Sequence, residues 1–222
     1  MRCQLCGFES ELWWDEERHL NELILENPQY YRQIIQDLYQ ESKQPQIMFN
    51  EAGQSLVIGS EVEVMINPMA LNFNNRQVML ALIKNMNQQA LAENNYLATC
   101  ELKSEIVRYL NNLVDDLHYN FEISVDEVLL TTVFKAANLQ IMADHDTLLE
   151  KLVDYMVVMN ELVGTKLFVW INLGDYLLDD EKNGFCHEIA ARQLDVLLIE
   201  NEQKWSKWVK NNLIIDQDWC EI

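Results

Sequence analysis

The chain has 222 residues, of which 49% are hydrophobic, six are glycine and three are proline, which excludes a disordered or low-complexity protein. This length allows one good core, or one core with a helical subdomain attached. The 36 acidic and 16 basic residues give a net charge of −20, which argues against a general affinity for nucleic acid but not against a local basic patch.

Neither a membrane segment nor a secretory framework is apparent. No apolar run reaches the roughly 18 residues of a membrane span, and the N-terminus lacks the long apolar core of a signal peptide. Five cysteines, an odd number, favour reduced thiols. Cys3 and Cys6 have zinc-ribbon spacing, but no second pair follows, so ordinary thiols are the favoured interpretation. The sequence predicts a cytoplasmic protein with no membrane partner.

The first third of the chain is predicted to contain one helix and then strands. Asn27 and Pro28 form a helix start, and apolar residues at helical spacing follow from Tyr31 to Leu38. After Pro45 three strand-like segments appear, "IMFN", "SLVIG" and "EVEVMI".

From about Asn75 to Val163 the pattern is almost entirely helical. Two long segments, "RQVMLALIKNMNQQALAEN" and "LKSEIVRYLNNLVDDLHYN", carry apolar residues three and four apart. The string "SVDE" at 124–127 predicts a capping box that opens a third helix, and a fourth helix runs from near Asp146 to Gly164. These helices are predicted to form a block of their own.

The last part of the chain predicts a strand, a helix and a second strand. The runs "KLFVWIN" and "DVLLIEN" are continuously apolar, as in strands buried on both faces, and a helix begins between them near Asp179 or Asp180. The usual solution is a parallel pair with a right-handed crossover. The predicted fold class is therefore α/β, with residues 1–68 and 165–222 as the α/β head domain and residues 69–164 as an inserted helical domain.

Polar residues after "KLFVWIN" would suit a phosphate-transfer site, since parallel sheets place ligands at the carboxyl ends of their strands. The candidates are Asn172, Asp175, Asp179 and Asp180. However, no G-x-x-x-x-G-K-[ST] motif occurs to hold the phosphates. A turn at Gly174 and an aspartate that caps the next helix are the favoured interpretation.

Acidic residues are dense around the start of the third predicted helix. They are Asp115, Asp116, Glu122, Asp126 and Glu127. Oxygen ligands at such spacing suit calcium, which accepts several of them in loose geometry. The alternative is that Asp126 and Glu127 stabilise the first helical turn through the macrodipole, without any metal.

Several residue strings, in their order and spacing, resemble a known family. They are "HDTLLEKL", "LFVWIN", "YLLDDE", "LDVLLIEN" and "LIIDQDW" in the last third, with weaker matches at "IIQDLYQ", "LNFNN" and "VFKA". The chain resembles the CRISPR-associated accessory proteins of type II-A systems that take part in spacer acquisition, as a divergent member.

This resemblance implies a degenerate P-loop-NTPase-like head domain that has lost its nucleotide site, with an inserted α-helical leg domain. It also implies a homotetrameric ring that binds linear double-stranded DNA ends in its basic lumen, without sequence preference and without catalysis. Calcium ions would brace the ring, and no nucleotide is expected. The implied partners are DNA ends, other copies of the chain, the CRISPR integrase complex and the type II effector nuclease.

The resemblance also suggests which basic residues contact DNA. Lys135 of "VFKA" and Lys151 of "LLEKL" stand where the family also has lysine. Leu80 replaces a family lysine, and Arg76 and Lys84 lie one turn to either side of it on the same helix face. These four basic residues are the predicted DNA-binding residues.

The implied calcium cluster is kept only in part. Glu122 and Asp126 match acidic positions of the family, whereas Ser124 and Thr132 stand where carboxylates are usual. Fewer charged ligands predict weaker calcium binding.

Two other functions stay open. One is an acidic scaffold or DNA mimic without DNA affinity, which the overall negative charge favours. The other is a nucleotide hydrolase, which would use Asp179 and Asp180. A ring reconciles the net charge with DNA binding if it places its acids outside and its basic residues in the channel, because the local potential decides.

Overall fold

A computed structural model of the chain describes residues 1–40, 44–114, 122 and 128–222. The chain separates into two compact units. Unit 1 contains Met1–Phe73 and Ala143–Ile222, and unit 2 contains Asn74–Met142. None of the helices in the described ranges is long and apolar enough to cross a membrane.

The elements of unit 1 are both strands and helices, whereas those that the structure describes in unit 2 are all helices. Unit 1 begins with β1 (Arg2–Leu5), β2 (Glu11–Trp13), β3 (Leu20–Leu25), α1 (Pro28–Tyr39), β4 (Ile47–Glu51), β5 (Gln54–Ser55) and β6 (Val62–Met65). Unit 2 contains α2 (Arg76–Leu91), α3 (Glu93–Val114) and α4 (Val128–Ala136). Unit 1 resumes with α5 (Leu148–Val158), β7 (Leu167–Ile171), α6 (Asp179–Arg192), β8 (Asp195–Glu200) and β9 (Asn212–Ile215).

The centre of unit 1 is a five-stranded sheet in which every pairing is parallel, in the spatial order β6-β7-β8-β3-β9. The two predicted apolar strands are direct neighbours, with Leu167 opposite Asp195 and Ile171 opposite Ile199. The predicted parallel pair and the α/β class are therefore confirmed.

Both faces of this sheet are covered. On one face, Leu23 and Ile199 join residues of α1 and of a second, antiparallel sheet, β2-β1-β4-β5, in one hydrophobic core. On the other face, the indole N–H of Trp170 contacts Met156 Sδ of α5 at 3.4 Å. Burial on both faces explains why β7 and β8 are continuously apolar in sequence.

Sequence analysis missed β3, which lies between β8 and β9. Its sequence, "LNELIL", includes Asn21 and Glu22, both fully buried, so it lacks the apolar pattern of its neighbours. Asn21 Nδ2 donates to the carbonyl of Trp13 at 3.1 Å. A strand was predicted over "SLVIG", but the strand in the structure ends at Ser55. The prediction is wrong beyond that residue, because the chain turns between Val57 and Val62.

The helices predicted in unit 2 are confirmed where the structure describes them. Asn75 caps α2 by accepting the backbone N–H of Val78 at 3.0 Å. A single extended residue, Ala92, separates α2 from α3. Thr99 Oγ1 then donates to the carbonyl of Ala90 at 2.7 Å, which ties the two helices together. The capping box predicted at 124–127 lies outside the described residues.

Helix α5 belongs to unit 1, whereas sequence analysis grouped it with the inserted block of residues 69–164. Its buried side chains Leu152, Val153 and Met156 explain this placement, because they pack within unit 1. The helix continues in a π-helical turn and ends at Gly164, as predicted, with the positive φ of 86° that glycine tolerates.

Candidate nucleic-acid interface

Three of the four predicted DNA-binding residues lie in unit 2, and two of them are on α2. Arg76, Leu80 and Lys84 are spaced four apart and exposed, so they form a row along the helix. Within the described ranges, no residue forms an ion pair or hydrogen bond with the side chain of Arg76 or Lys84. Both cations are therefore available to a ligand.

Lys135 lies in the last turn of α4, which packs against α2. Asn87 Nδ2 of α2 donates to Thr131 Oγ1 of α4 at 2.9 Å. A cavity of about 250 Å³ lies between the helices and is lined by Met79 and Ile83 on one side and by Lys135 on the other. The fold thus brings Lys135 beside the helix that carries Arg76 and Lys84, although it is distant from both in sequence.

The surroundings of these cations contain few acids. Neither α2 nor α4 has an aspartate or glutamate, and the sequence has none from Val64 to Ala92 or from Val128 to Ala143. Unit 2 as a whole has five basic and eight acidic residues, a net charge of −3 out of −20. The chain therefore segregates its charge, because most acids lie in unit 1.

Lys151, the fourth predicted contact, lies in unit 1 and already has a partner. It follows the capping box of α5, in which Glu150 N donates to Thr147 Oγ1 at 3.2 Å. Its Nζ donates to the carbonyl of Met69 at 3.1 Å. This bond fastens α5 to the segment that leads out of β6. The contact gives Lys151 a structural role, whatever else it binds.

The predicted calcium ligands are only partly within the described ranges. Glu122 is exposed outside any helix or strand, and Asp126 lies outside the described residues. In the part of the chain that the structure describes, no group of three or more histidine, cysteine or acidic side chains is placed to hold a metal ion. Cys3 is buried in β1 while Cys6 is exposed, and burial raises the pKa of the Cys3 thiol.

The geometry does not favour a phosphate site at the start of α1. A phosphate loop connects a strand to a helix, but β3 is joined to α1 by Glu26 and Asn27 alone. Asn27 Oδ1 accepts the backbone N–H groups of Gln29 at 2.9 Å and Tyr30 at 3.1 Å. The chain's own amide thus occupies the donors that would bind a phosphate.

The aspartates considered for phosphate transfer are paired with lysines. Asp175 Oδ1 accepts from Lys204 Nζ, and Asp179 Oδ2 from Lys207 Nζ, both at 2.6 Å. Asp179 begins α6 but is not its cap, so that prediction is wrong. The backbone N–H of Leu178 is held by Glu181 Oε2 at 2.9 Å instead.

Sequence analysis missed these lysines. Their signal was present in "KWSKWVK" at 204–210, which places three lysines and two tryptophans in seven residues of an acidic chain. Lys207 Nζ lies 5.5 Å from the ring centre of Trp208.

Comparison with known proteins identifies similar chains. The sequence profile of a family described as "CRISPR-associated protein (Cas_Csn2)" matches residues 38–219. A CRISPR-associated protein Csn2 from Streptococcus agalactiae is 20% identical over 205 residues, covering 90% of this chain and 89% of the relative. A CRISPR-associated protein Csn2 from Enterococcus faecalis is 21% identical over 180 residues, covering 80% and 81%. The low identity agrees with a divergent branch.

Proposed function

Because the chain belongs to the Csn2 family of CRISPR-associated accessory proteins, which takes part in type II adaptation, we propose that it binds linear double-stranded DNA ends. Binding is non-catalytic, independent of sequence, and performed by a homotetrameric ring. The observation that carries this proposal is the acid-free helix pair α2/α4, with the exposed cations Arg76, Lys84 and Lys135, whose side chains have no ion-pair partner among the described residues.

The mechanism follows from the chemistry of these cations. They supply positive charge that suits phosphate groups, and phosphate contacts position DNA without reading its sequence. A ring repeats each cation in every subunit, so a net acidic protein gains a local positive potential that attracts DNA. Affinity would then come from release of counterions and would fall steeply with salt.

We propose that unit 1 is a degenerate P-loop-NTPase-like head domain without a nucleotide site, and that unit 2 is the core of the inserted helical leg. The two-residue connection between β3 and α1 and the cap at Asn27 support this assignment. The lysine partners of Asp175 and Asp179 support a non-catalytic role, because they neutralise the carboxylates that would hold a catalytic metal.

Self-assembly is supported by an apolar row on α3. Leu102, Ile106, Tyr109 and Leu113 follow the 4-3-4 spacing of a coiled-coil seam. Leu102 is 44% exposed, Tyr109 63% and Leu113 55%, although such a seam is normally buried. We propose that a second copy of this chain covers this row.

Calcium and the protein partners complete the proposal. Glu122 and Asp126 would supply two carboxylates, which calcium prefers, while Ser124 and Thr132 offer only neutral hydroxyl groups. Two carboxylates alone predict weak calcium binding. A bound calcium ion would neutralise these carboxylates and stabilise the assembly. In this proposal the ring passes DNA ends to the CRISPR integrase complex and cooperates with the type II effector nuclease.

The experiment reverses the charge of the proposed DNA-binding residues. A triple variant, Arg76→Glu, Lys84→Glu and Lys135→Glu, should weaken binding to linear duplex DNA at least tenfold in a gel-shift titration at low salt. Removing each cation reduces the release of counterions, and each new carboxylate repels phosphate. The far-ultraviolet circular dichroism should stay unchanged, because all three side chains are exposed.

A single charge reversal in unit 1, Lys166→Glu, is the control, since that lysine already pairs with Glu51 at 2.7 Å and with Glu61 at 3.0 Å. It should leave DNA binding intact. Equally weak binding by both variants would show a general charge effect and remove α2/α4 from the proposal. No DNA shift with the unmodified chain, with or without calcium, would favour the acidic scaffold instead.

A further inference from the structure

At the carboxyl edge of the parallel sheet, oxygen atoms surround the ammonium group of Lys204. Its Nζ lies 2.6 Å from Asp175 Oδ1, 3.2 Å from Asn201 Oδ1 and 3.4 Å from Glu200 Oε2. The Lys204 side chain is 10% exposed and the Glu200 side chain is fully buried. This edge is where α/β folds place their ligands.

The crevice is fitted closely to this side chain. A Cβ added at Gly174 would lie 2.8 Å from Lys204 Cδ, 2.9 Å from Lys204 Cβ and 3.0 Å from Glu200 Oε1. Only glycine therefore lets the backbone approach so closely. The Gly174 N–H and the Trp205 indole N–H both donate to Glu200 Oε1, at 2.7 and 3.0 Å, which fixes the carboxylate.

The second oxygen of Glu200 is directed to the ammonium. Among the described residues, Glu200 Oε2 has no hydrogen bond, and its one ion-pair partner is Lys204 Nζ. Burial raises the pKa of Glu200, and the hydrogen bonds from Trp205 and Gly174 and the charge of Lys204 act in the opposite direction. Burial alone would lower the pKa of Lys204, but the Asp175 hydrogen bond and the Glu200 charge raise it overall.

The segment that carries Lys204 is held on its other side by β3. The backbone N–H groups of Lys204 and Trp205 both donate to Glu22 Oε1 at 3.2 Å. The Trp205 side chain is fully buried, with its ring centre 5.8 Å from that of Phe185. The lysine is thus positioned by its backbone as well as by its charged end.

We infer that this crevice is a binding site for one primary ammonium ion, which the chain fills with its own Lys204. The lysine is a tethered ligand that closes the ligand edge of the sheet. This inference does not depend on DNA binding. The proposed head domain lacks a nucleotide site, and the new point is that the Lys204 side chain occupies the carboxyl edge of the sheet.

The test empties the site and refills it. Lys204→Ala removes three carbons and the ammonium, which n-propylammonium replaces atom for atom. The variant should have a lower Tm than the unmodified chain. Added n-propylammonium should raise it saturably by several degrees, because a ligand that binds only the native state stabilises it. Added 1-propanol, which has nearly the same shape without the charge, should not.

Lys207→Ala is the matched control. Its ammonium also lies 2.6 Å from an aspartate, Asp179, but these two side chains are 70% and 62% exposed. It should show no saturable response to n-propylammonium. A response equal to that of Lys204→Ala, an equal effect of 1-propanol, or no response by either variant would overturn the inference.

A measurement on the unmodified chain covers the case in which Lys204→Ala does not fold. The side-chain ammonium resonance of Lys204 should be visible by nitrogen-detected NMR at neutral pH, because buried and hydrogen-bonded ammonium protons exchange slowly. Exchange as fast as that of Lys207 would contradict the inference.

Discussion

Glu22 is a carboxylic acid in the interior of a parallel sheet, and its ionisation is therefore coupled to folding. Burial raises its pKa from an ordinary 4.5 to about 7. The backbone N–H groups of Lys204 and Trp205 act in the opposite direction, and the negative charge of Glu200 adds to the increase. The native state consequently holds a proton that the unfolded chain releases at lower pH.

This coupling predicts how stability depends on pH. Below about pH 4.5 Glu22 is protonated in both states, and it adds no penalty. As the pH rises towards 7 only the unfolded state ionises, so the free energy of unfolding decreases by about 3 kcal/mol and then levels off. Glu22→Gln should remove this decrease, since the amide oxygen still accepts the two backbone N–H groups.

Urea unfolding of both proteins at pH 5 and pH 8 measures the effect. On going from pH 5 to pH 8, the free energy of unfolding of Glu22→Gln should increase relative to that of the unmodified chain. Glu202→Gln is the control, since Glu202 is 73% exposed, and it should leave the pH dependence unchanged. A parallel pH dependence for Glu22→Gln and the unmodified chain would show that Glu22 titrates normally.

At the scale of the elements, hydrophobic periodicity identified the helices and the two apolar strands because their burial patterns repeat in sequence. It missed β3 because Asn21 and Glu22 form hydrogen bonds with residues far along the chain, such as Asn211 and Trp205. Hydrophobic periodicity grouped α5 with the neighbouring helices in sequence. It predicts which face of a helix is buried, but not which part of the protein covers that face.

The candidate site shows the same limit. Residue type and helical spacing were enough to put Arg76 and Lys84 in one row. Nothing in the sequence showed that α4 brings Lys135 beside the helix that carries them, or that Lys151 donates to the Met69 carbonyl. These facts depend on the packing of distant segments, which one sequence does not display.

The apolar row of α3 leads to a prediction about assembly. Leu102→Glu together with Leu113→Glu should weaken self-association at least tenfold. Each leucine would forfeit about 1.5–3 kcal/mol if the interface buries it completely, and the new charges would be desolvated. Light scattering should show a lower mass, and the helical circular dichroism should remain, because both side chains are exposed in the single chain.

Leu97→Glu provides the control for this element. Leu97 is 74% exposed on α3 but lies outside the 4-3-4 row, so its substitution should preserve the mass of the assembly. An unchanged mass for the double variant would mean that the second copy does not cover this row.

At the scale of the whole molecule, the distribution of charge matters more than its sum. Unit 1 carries eleven basic and 28 acidic residues, a net charge of −17, against −3 for unit 2. The large net charge favours solubility, whereas DNA responds to the local potential close to its phosphates. The acids of unit 1 also oppose adsorption of DNA elsewhere on the surface, which would favour the proposed lumen.

Encirclement and phosphate binding make separate predictions that one titration distinguishes. If the ring threads onto a free end, linear DNA should be retained and covalently closed circular DNA of the same sequence should not. If Arg76, Lys84 and Lys135 bind phosphates, affinity for linear DNA should fall with salt, and Lys135→Gln should make the logarithmic slope shallower by about 0.9 for each phosphate that the variant no longer neutralises. Equal retention of both DNA forms would exclude threading without excluding phosphate binding. A slope unaffected by Lys135→Gln would exclude phosphate binding by that lysine without excluding threading. The two outcomes are independent because threading depends on closure of the ring, whereas the salt slope depends on the charges that line it.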